Sequence, residues 1–268
     1  MHTHQLTVDG DVVRKRYVSW EAAEAEREWR GLELLAEHAP GLAPAPLGRD
    51  SEDGAPVVVM GRVPGEPLGT APLTGAQVDA LGAALRRLFA VPVPDDLPER
   101  SMGPSVARGK VREWAVEPSD LAPCQDATLV GRALDRARAW LAEGDPATDR
   151  VVDPVAALGD GNLWNVIWDG TTCRLVDFEE FGRSDLTYEV ADVVEHASSR
   201  LDRHLDADAL LARLPLTGPQ HERLRAHRRL LASFWLVMLL PGNRGFDRNP
   251  AGSTEDQARH LLGLLDDA

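Results

Sequence analysis

Three residues carry the chemistry this sequence is able to do. They are Asp160, Asn165 and Asp177, set in the segment LGDGNLWNVIWDGTTCRLVDFE at 158–179. In that order they supply what kinase-type phosphoryl transfer needs. One carboxylate orients the attacking hydroxyl, an amide oxygen holds one magnesium ion, and a second carboxylate bridges the metals. Such all-oxygen donors suit a hard cation like Mg²⁺. The residues between them can close the gap. Val166, Ile167 and Trp168 read as a short strand, Asp169-Gly170 as a two-residue turn, and 173–176 as the returning strand. That hairpin brings Asn165 and Asp177 together at its open end. The plain alternative is a hairpin whose Asp and Asn residues only cap turns, but it does not account for all three residues in this order.

The elements that must position these residues follow from the rest of the chain. At 268 residues there is enough sequence for two unequal lobes or one large domain. Residues 4–8 and 12–18 are strand-like, with Asp9-Gly10 between them as a type I′ turn signal. A helix is expected over 20–38, where Ala25, Trp29, Leu32 and Leu35 recur at helical spacing before Pro40, Pro44 and Pro46. Residues 56–60 form an apolar run suited to a central strand, and 61–65 a hinge. Helices follow over 74–90, with Thr74 as N-cap, and near 106–114 and 128–143. The Pro-rich loop at 92–104 is the expected flexible segment. After the central hairpin the pattern is helical over 186–203, 219–240 and 254–265. Strands followed by helices make an α+β chain, with a β-rich N-lobe at 1–63 and a mainly helical C-lobe at 64–268.

Lys15 is the candidate phosphate ligand. It shares a strand face with Val13 and Tyr17. Only Lys15 and Lys110 are lysines among 29 Lys and Arg residues. A phosphate clamp under a sheet calls for a compact ammonium on a flexible stem, which guanidinium replaces poorly. A solvated strand lysine between Arg14 and Arg16 is the ordinary alternative.

The segment 158–192 resembles the aminoglycoside phosphotransferase and choline kinase family, with a protein-kinase-like two-lobe fold. The likeness extends from about residue 12 to the C-terminus. Leu158 departs from the pattern, since the family usually has histidine there. The resemblance implies that Asp160 is the catalytic base and that Asn165 and Asp177 bind Mg²⁺. It implies that Glu28, in the run REWRGL at 27–32, pairs with Lys15, with Glu24 one turn earlier as the competing choice. Met60 then closes the back of an adenine site, and the backbone at Gly61 and Val63 meets the base. Asp185 braces the catalytic loop, or simply caps a helix. The cofactors implied are ATP, or GTP, with Mg²⁺. The connection at 9–11 is short for a phosphate-covering loop. With Leu158, it keeps a non-catalytic nucleotide-binding pseudokinase as an alternative.

The net charge of −14 argues against nucleic acid, whose phosphates need basic surface. It suits a small cationic hydroxyl substrate. Glu180, Glu189 and Asp192 are the candidate acceptor-binding carboxylates, with Glu195 beside them. The loop at 241–250, with Arg244 and Arg248, is another candidate. An aminoglycoside or related antibiotic is the first acceptor class implied, and choline, ethanolamine or another metabolite the second. A choline site needs an aromatic cage, and no tryptophan cluster is legible in the sequence. No apolar run is long enough to span a membrane, and no leader pattern precedes residue 12. Cys124 and Cys173 have no metal-ligand spacing and read as reduced thiols. A cytoplasmic monomer or homodimer is the expectation.

Overall fold

The computed structural model describes residues 4–18, 23–144, 148, 150–201 and 204–266. The N-terminal region is a four-stranded antiparallel sheet in the order β1-β2-β4-β3, from β1 (Gln5–Asp9), β2 (Val12–Arg16), β3 (Pro46–Glu52) and β4 (Ala55–Gly61). The β1–β2 turn is carried by Gly10, with φ +57°. Asp11 has no positive φ, so this is not the type I′ turn that the Asp9-Gly10 pair suggests. The type I′ pattern sits between β3 and β4, where Asp53 has φ +50° and Gly54 φ +77°. That Asp-Gly pair was the unread signal for β3. On β2 the inward residues are Val13 and Lys15, and Tyr17 just beyond is fully buried.

Helix α1 (Glu24–His38) lies against this sheet and buries Glu28, Gly31, Leu32 and Leu35. Trp20 and Glu21, at the expected start of the helix, are outside the described residues. Gly31 is the point of closest approach: a Cβ there would meet the Phe181 ring at 2.8 Å. The helix is thereby seated on the segment that follows Asp177.

The remaining chain is mainly helical. Helix α2 (Gly75–Phe89) starts at a reciprocal Thr74/Gln77 capping box. Next come α3 (Pro104–Val116) and α4 (Ala127–Glu143). Short strands β5 (Glu66–Pro67), β7 (Val166–Trp168) and β8 (Cys173–Leu175) form one small sheet, and β6 (Pro154–Ala156) pairs with β9 (Arg183–Asp185). The β7–β8 connection spans 169–172, longer than a two-residue turn. Asp169 accepts hydrogen bonds there from the Thr171 and Thr172 amides at 2.9 and 2.8 Å.

The helix expected over 186–203 is broken in two, α5 (Leu186–Glu195) and α6 (Ala197–Arg200), at His196. The described residues continue with α7 (Ala207–Leu211), α8 (Gly218–Met238), α9 (Arg244–Arg248) and α10 (Ser253–Asp266). Helix α8 is roughly 30 Å long and packs against α3, α5 and α10. One apolar core runs from Tyr17 and Leu32 through Leu175, Phe178 and Phe181 to Leu230 and Val237. It ties sheet and helices together.

The Pro-rich segment is pinned rather than loose. Arg100 donates its amide to the Arg183 carbonyl at 3.1 Å, and Arg183 returns a bond to the Pro98 carbonyl at 2.7 Å. No helix among the described residues is long and apolar enough to cross a membrane.

Candidate active site

The loop that holds Asp160 is built on two glycines that admit no side chain. A Cβ at Gly159, where φ is +95°, would lie 2.7 Å from Glu180, and one at Gly161 would lie 2.4 Å from the Asp192 backbone. The loop therefore lies directly on α5. Asp160 Oδ1 accepts from the Asn162 amide at 3.1 Å, and Oδ2 from Asn165 Nδ2 at 3.2 Å. Burial raises the Asp160 pKa, but the His196 ring beside it and the hydrogen bond from the Asn162 amide outweigh that and hold the carboxyl below its ordinary value. Asp160 is ionised at neutral pH.

The hairpin joins the other two residues as its ends require. The Val176 amide donates to the Asn165 carbonyl at 2.9 Å, and the chain then turns at Asp177 with φ +69°. A positive φ is unusual for aspartate and marks a backbone held by its surroundings.

Lys15 enters from β2. Its Nζ lies 2.7 Å from Glu28 Oε2 and 2.8 Å from Glu179 Oε2, and it also bonds Asp177. Glu28 further accepts from the Tyr17 hydroxyl and from the Phe178 amide at 3.4 Å. Glu24, the competing choice, faces His4 at 3.6 Å instead. Arg27 donates to the Glu179 carbonyl at 2.8 Å, so α1 also grips the chain after Asp177.

The oxygens of Glu28, Asp177 and Glu179 approach within 4.8 Å of one another. Burial works against the Lys15 ammonium, but these three carboxylates outweigh it and raise its pKa. Burial, partly offset by Lys15, and the neighbouring carboxylates push Asp177 up to about 6. Three carboxylates about one ammonium leave negative charge uncompensated. Oxygen donors of this kind suit a hard cation, and Asn165 lines the larger cavity together with Asp177.

Two cavities meet here. The larger, of about 760 Å³, is lined by Val13, Lys15, Met60, Gly61, Val63 and Trp164, among others. Trp164 is 52% exposed and lines this space. The Gly61 amide is already committed to the Ala45 carbonyl at 2.8 Å. The smaller cavity, of about 300 Å³, has an apolar side of Met102, Leu231, Phe234 and Trp235. Asp160, Asp177 and Glu179 line both.

The acidic residues beyond Asp177 divide. Glu180 lines the smaller cavity, where it accepts from the Ser101 hydroxyl. Burial raises its pKa against the pull of Arg27 and Arg100. Asp192 lines it too, with Oδ2 3.1 Å from Arg100 Nη1. Glu189 is no acceptor ligand. It is 3% exposed, salt-bridged to Arg100 Nη1 at 2.6 Å, and accepts from the Leu158 amide at 3.1 Å. Glu189 thus braces the catalytic loop, the work the resemblance gives to Asp185. Asp185 instead caps α5 and accepts from the Val152 and Asp153 amides at 2.8 and 3.0 Å. The loop at 241–250 lines neither cavity; Phe246, Asn249 and Pro250 line a separate one with Pro123, Cys124 and Gln125.

Two residues at the site were not legible in sequence. Arg100 comes from the Pro-rich segment and bonds Glu189, Asp192 and the Gly159 carbonyl. His196 comes from the break between α5 and α6, with Nε2 3.3 Å from Asp160 Oδ1. The only sequence signal was the histidine itself inside an apolar helical run.

Comparisons with known proteins bear on the fold and the family. No curated protein matches the sequence significantly. Among solved structures, a choline/ethanolamine kinase family protein from Mesorhizobium loti superposes with a TM-score of 0.64 at 15% identity, covering 99% of this chain and 86% of that one. An aminoglycoside phosphotransferase from Streptomyces rimosus gives 0.56 at 18% identity, covering 86% and 92%. A choline kinase from Streptococcus pneumoniae gives 0.59 at 15%, covering 100% and 91%. These likenesses show the kinase-like fold. The model of the phosphotransferase enzyme family matches residues 5–227. With most of the sequence inside that match, the chain belongs to the phosphotransferase enzyme family and is an enzyme that passes a phosphoryl group to a hydroxyl acceptor.

Proposed function

We propose that this enzyme is an ATP-dependent kinase of a small molecule. The observation that carries the reading is the meeting of the two cavities at Asp160, Asp177 and Glu179. A nucleotide in the larger space and an alcohol in the smaller would face each other across these carboxylates. On this reading, residues 1–63 supply most of the nucleotide site and 64–268 the catalytic and acceptor groups.

Lys15, held by Glu28, binds the α- and β-phosphates. Met60 backs the base, and the Gly61 and Val63 backbone meets its edge, which leaves GTP as a second nucleotide. Mg²⁺ held by Asn165 and Asp177 would neutralise charge on the phosphates. Asp160 orients the acceptor hydroxyl. As the new P–O bond forms and the β–γ bridge breaks toward ADP, it takes the hydroxyl proton. A carboxylate of low pKa suffices, because positioning dominates in a loose transition state.

The acceptor pocket favours a small amino alcohol of the choline or ethanolamine kind. Phe234 and Trp235 supply an aromatic side, and their rings lie 5.3 Å apart. Glu180 supplies a carboxylate at the same pocket, while Glu189 and Asp192 are engaged by Arg100. An aminoglycoside is the second reading, favoured by the net charge of −14.

The test is coupled ADP release against amino alcohols, aminoglycosides and nucleoside antibiotics. Turnover is expected to be highest with an amino alcohol and to fall about 10²-fold or more in Asp160→Asn with nucleotide binding intact. Nucleotide binding as tight in EDTA as in Mg²⁺ would count against the kinase reading.

A further inference from the structure

His196 occupies a backbone break and is tied on every side. It is both the last cap of α5 and the first of α6, with φ −56° and ψ 142°. Its own amide donates to the Asp192 carbonyl at 3.0 Å. The ring is packed edge-on against Trp235 of α8, with centroids 4.6 Å apart.

The two ring nitrogens have different neighbours. Nδ1 accepts from the Ser198 amide at 3.1 Å and lies 2.8 Å from the Ser198 hydroxyl. That hydroxyl oxygen accepts in turn from the Leu163 amide at 3.0 Å, inside the catalytic loop. A backbone N–H can only donate, so Nδ1 is the acceptor and the ring proton sits on Nε2. Nε2 is the atom 3.3 Å from Asp160 Oδ1. A ring held by a helix break is ordinary capping. A ring whose tautomer is set by the Ser198 amide, whose neighbour Ser198 is tied to the loop at Leu163, and whose Nε2 lies 3.3 Å from Asp160 does more than cap.

We propose that His196 is a positioning residue. Its Nε2–H holds Asp160 in the orientation that receives the acceptor hydroxyl, and Ser198 couples that orientation to the loop at Leu163. The inference rests on the kinase reading for the role of Asp160. Asn165 donates to Oδ2 and the Asn162 amide to Oδ1, with His196 Nε2 3.3 Å from Oδ1. A carboxylate held by fixed donors loses little orientational freedom when substrate arrives. Leu158, where the resemblance implies histidine, is buried and has no side-chain donor. The imidazole at this site comes from another element.

The experiment compares His196→Leu, which fills the space without a donor, with His196→Gln, whose amide N–H reaches toward the place of Nε2. The readouts are ADP release from Mg-ATP with water as acceptor, the thermal midpoint, and a two-dimensional ¹H–¹⁵N spectrum of the imidazole. In His196→Leu, kcat should fall on the order of 10-fold or more with KM for ATP unchanged, and His196→Gln should recover most of it at the same thermal midpoint. The wild-type spectrum should place the proton on Nε2, and Asp160→Asn should move that resonance. Equal defects in the Leu and Gln variants, wild-type kcat in His196→Leu, or a proton on Nδ1 would overturn the proposal. A wild type that releases no ADP under any condition would sink the kinase reading instead, and the spectrum would still decide the contact with Asp160.

Discussion

Two buried cations frame this site, and they are held in opposite ways. Lys15 sits among Glu28, Asp177 and Glu179 beside the larger cavity. Arg100 sits between Glu189, Asp192 and the Gly159 carbonyl, behind the smaller one. Lys15 is a point charge with more carboxylate around it than it can neutralise. One of those carboxylates, Asp177, also lines both cavities. Arg100 is a planar fork whose donors are spread over α5 and the catalytic loop at once. Its guanidinium also lies 5.2 Å from the Tyr188 ring centre. The difference separates a working charge from a bracing one. On the proposed kinase reading, the first would exchange partners during turnover and the second would not.

The largest effect should come from breaking the brace. Arg100→Ala leaves Glu189 and Asp192 buried without their cation, which costs about 3–5 kcal/mol. Denaturant unfolding should show that loss, with activity disappearing along with the fold. Arg100→Met is expected to lose activity too, because Glu189 would no longer be drawn between the Leu158 amide and its partner. A stability change below about 1 kcal/mol would place Arg100 among surface ion pairs, which its burial contradicts.

Lys15→Ala should show the reverse balance. Here kcat/KM for ATP is expected to drop by about 10²-fold or more, as for the loss of a charged transition-state contact. Lys110→Ala should be close to wild type. Lys15→Arg should not restore activity, since a planar fork cannot occupy a point shared by three carboxylates. A Lys15→Ala variant no worse than Lys110→Ala would move the phosphate clamp elsewhere, with Arg14 or Arg16 as candidates.

Glu28→Gln should give a smaller defect of the same kind. It loosens Lys15 without removing it, and Asp177 and Glu179 still hold the ammonium. The measurement is again kcat/KM for ATP, and a defect exceeding that of Lys15→Ala would refute the order.

The smallest effect is on stability against pH. Asp177 is raised to about 6 from an ordinary 3.8, so the folded chain holds its proton more tightly than the unfolded chain does. Its contribution to stability is full below about 4 and is lost as pH rises toward 6. Thermal midpoints in EDTA should therefore fall across that window for the wild type. Asp177→Asn should flatten the slope and raise the midpoint at pH 7. An unchanged slope would mean that the charge around Lys15 is balanced by other groups.

Lys15 and Arg100 also differ in how far the sequence disclosed them. Lys15 is one of two lysines, on an alternating strand face, and scarcity made it visible. Arg100 is one arginine of many, in a Pro-rich loop that read as flexible. Nothing local marks it, because what holds it are residues far along the chain, at Gly159, Arg183, Glu189 and Asp192. Glu189 suffered the converse error. On a helix face it looked like a solvated acid near an acceptor, yet helix α5 is buried nearly throughout. Strand β3 follows prolines that mark a helix end, and its own signal, the Asp53-Gly54 turn, lies only at its far side.

What the sequence determined by itself was local. The order Asp160, Asn165, Asp177 with a hairpin between them names the chemistry, because strand spacing and turn length leave few ways to close that distance. The capping of α2 by Thr74 and the inward face of Val13, Lys15 and Tyr17 follow from short-range geometry as well. Tertiary structure decided which partner each charge received. Glu28 rather than Glu24 met Lys15, Glu189 rather than Asp185 held the loop, and His196 reached Asp160 through a break in a helix that sequence read as continuous. Chemically similar side chains compete for such places. The outcome depends on how close the backbones pack, as Gly31 against Phe181 and Gly161 against Asp192 show, and on which groups that packing removes from water.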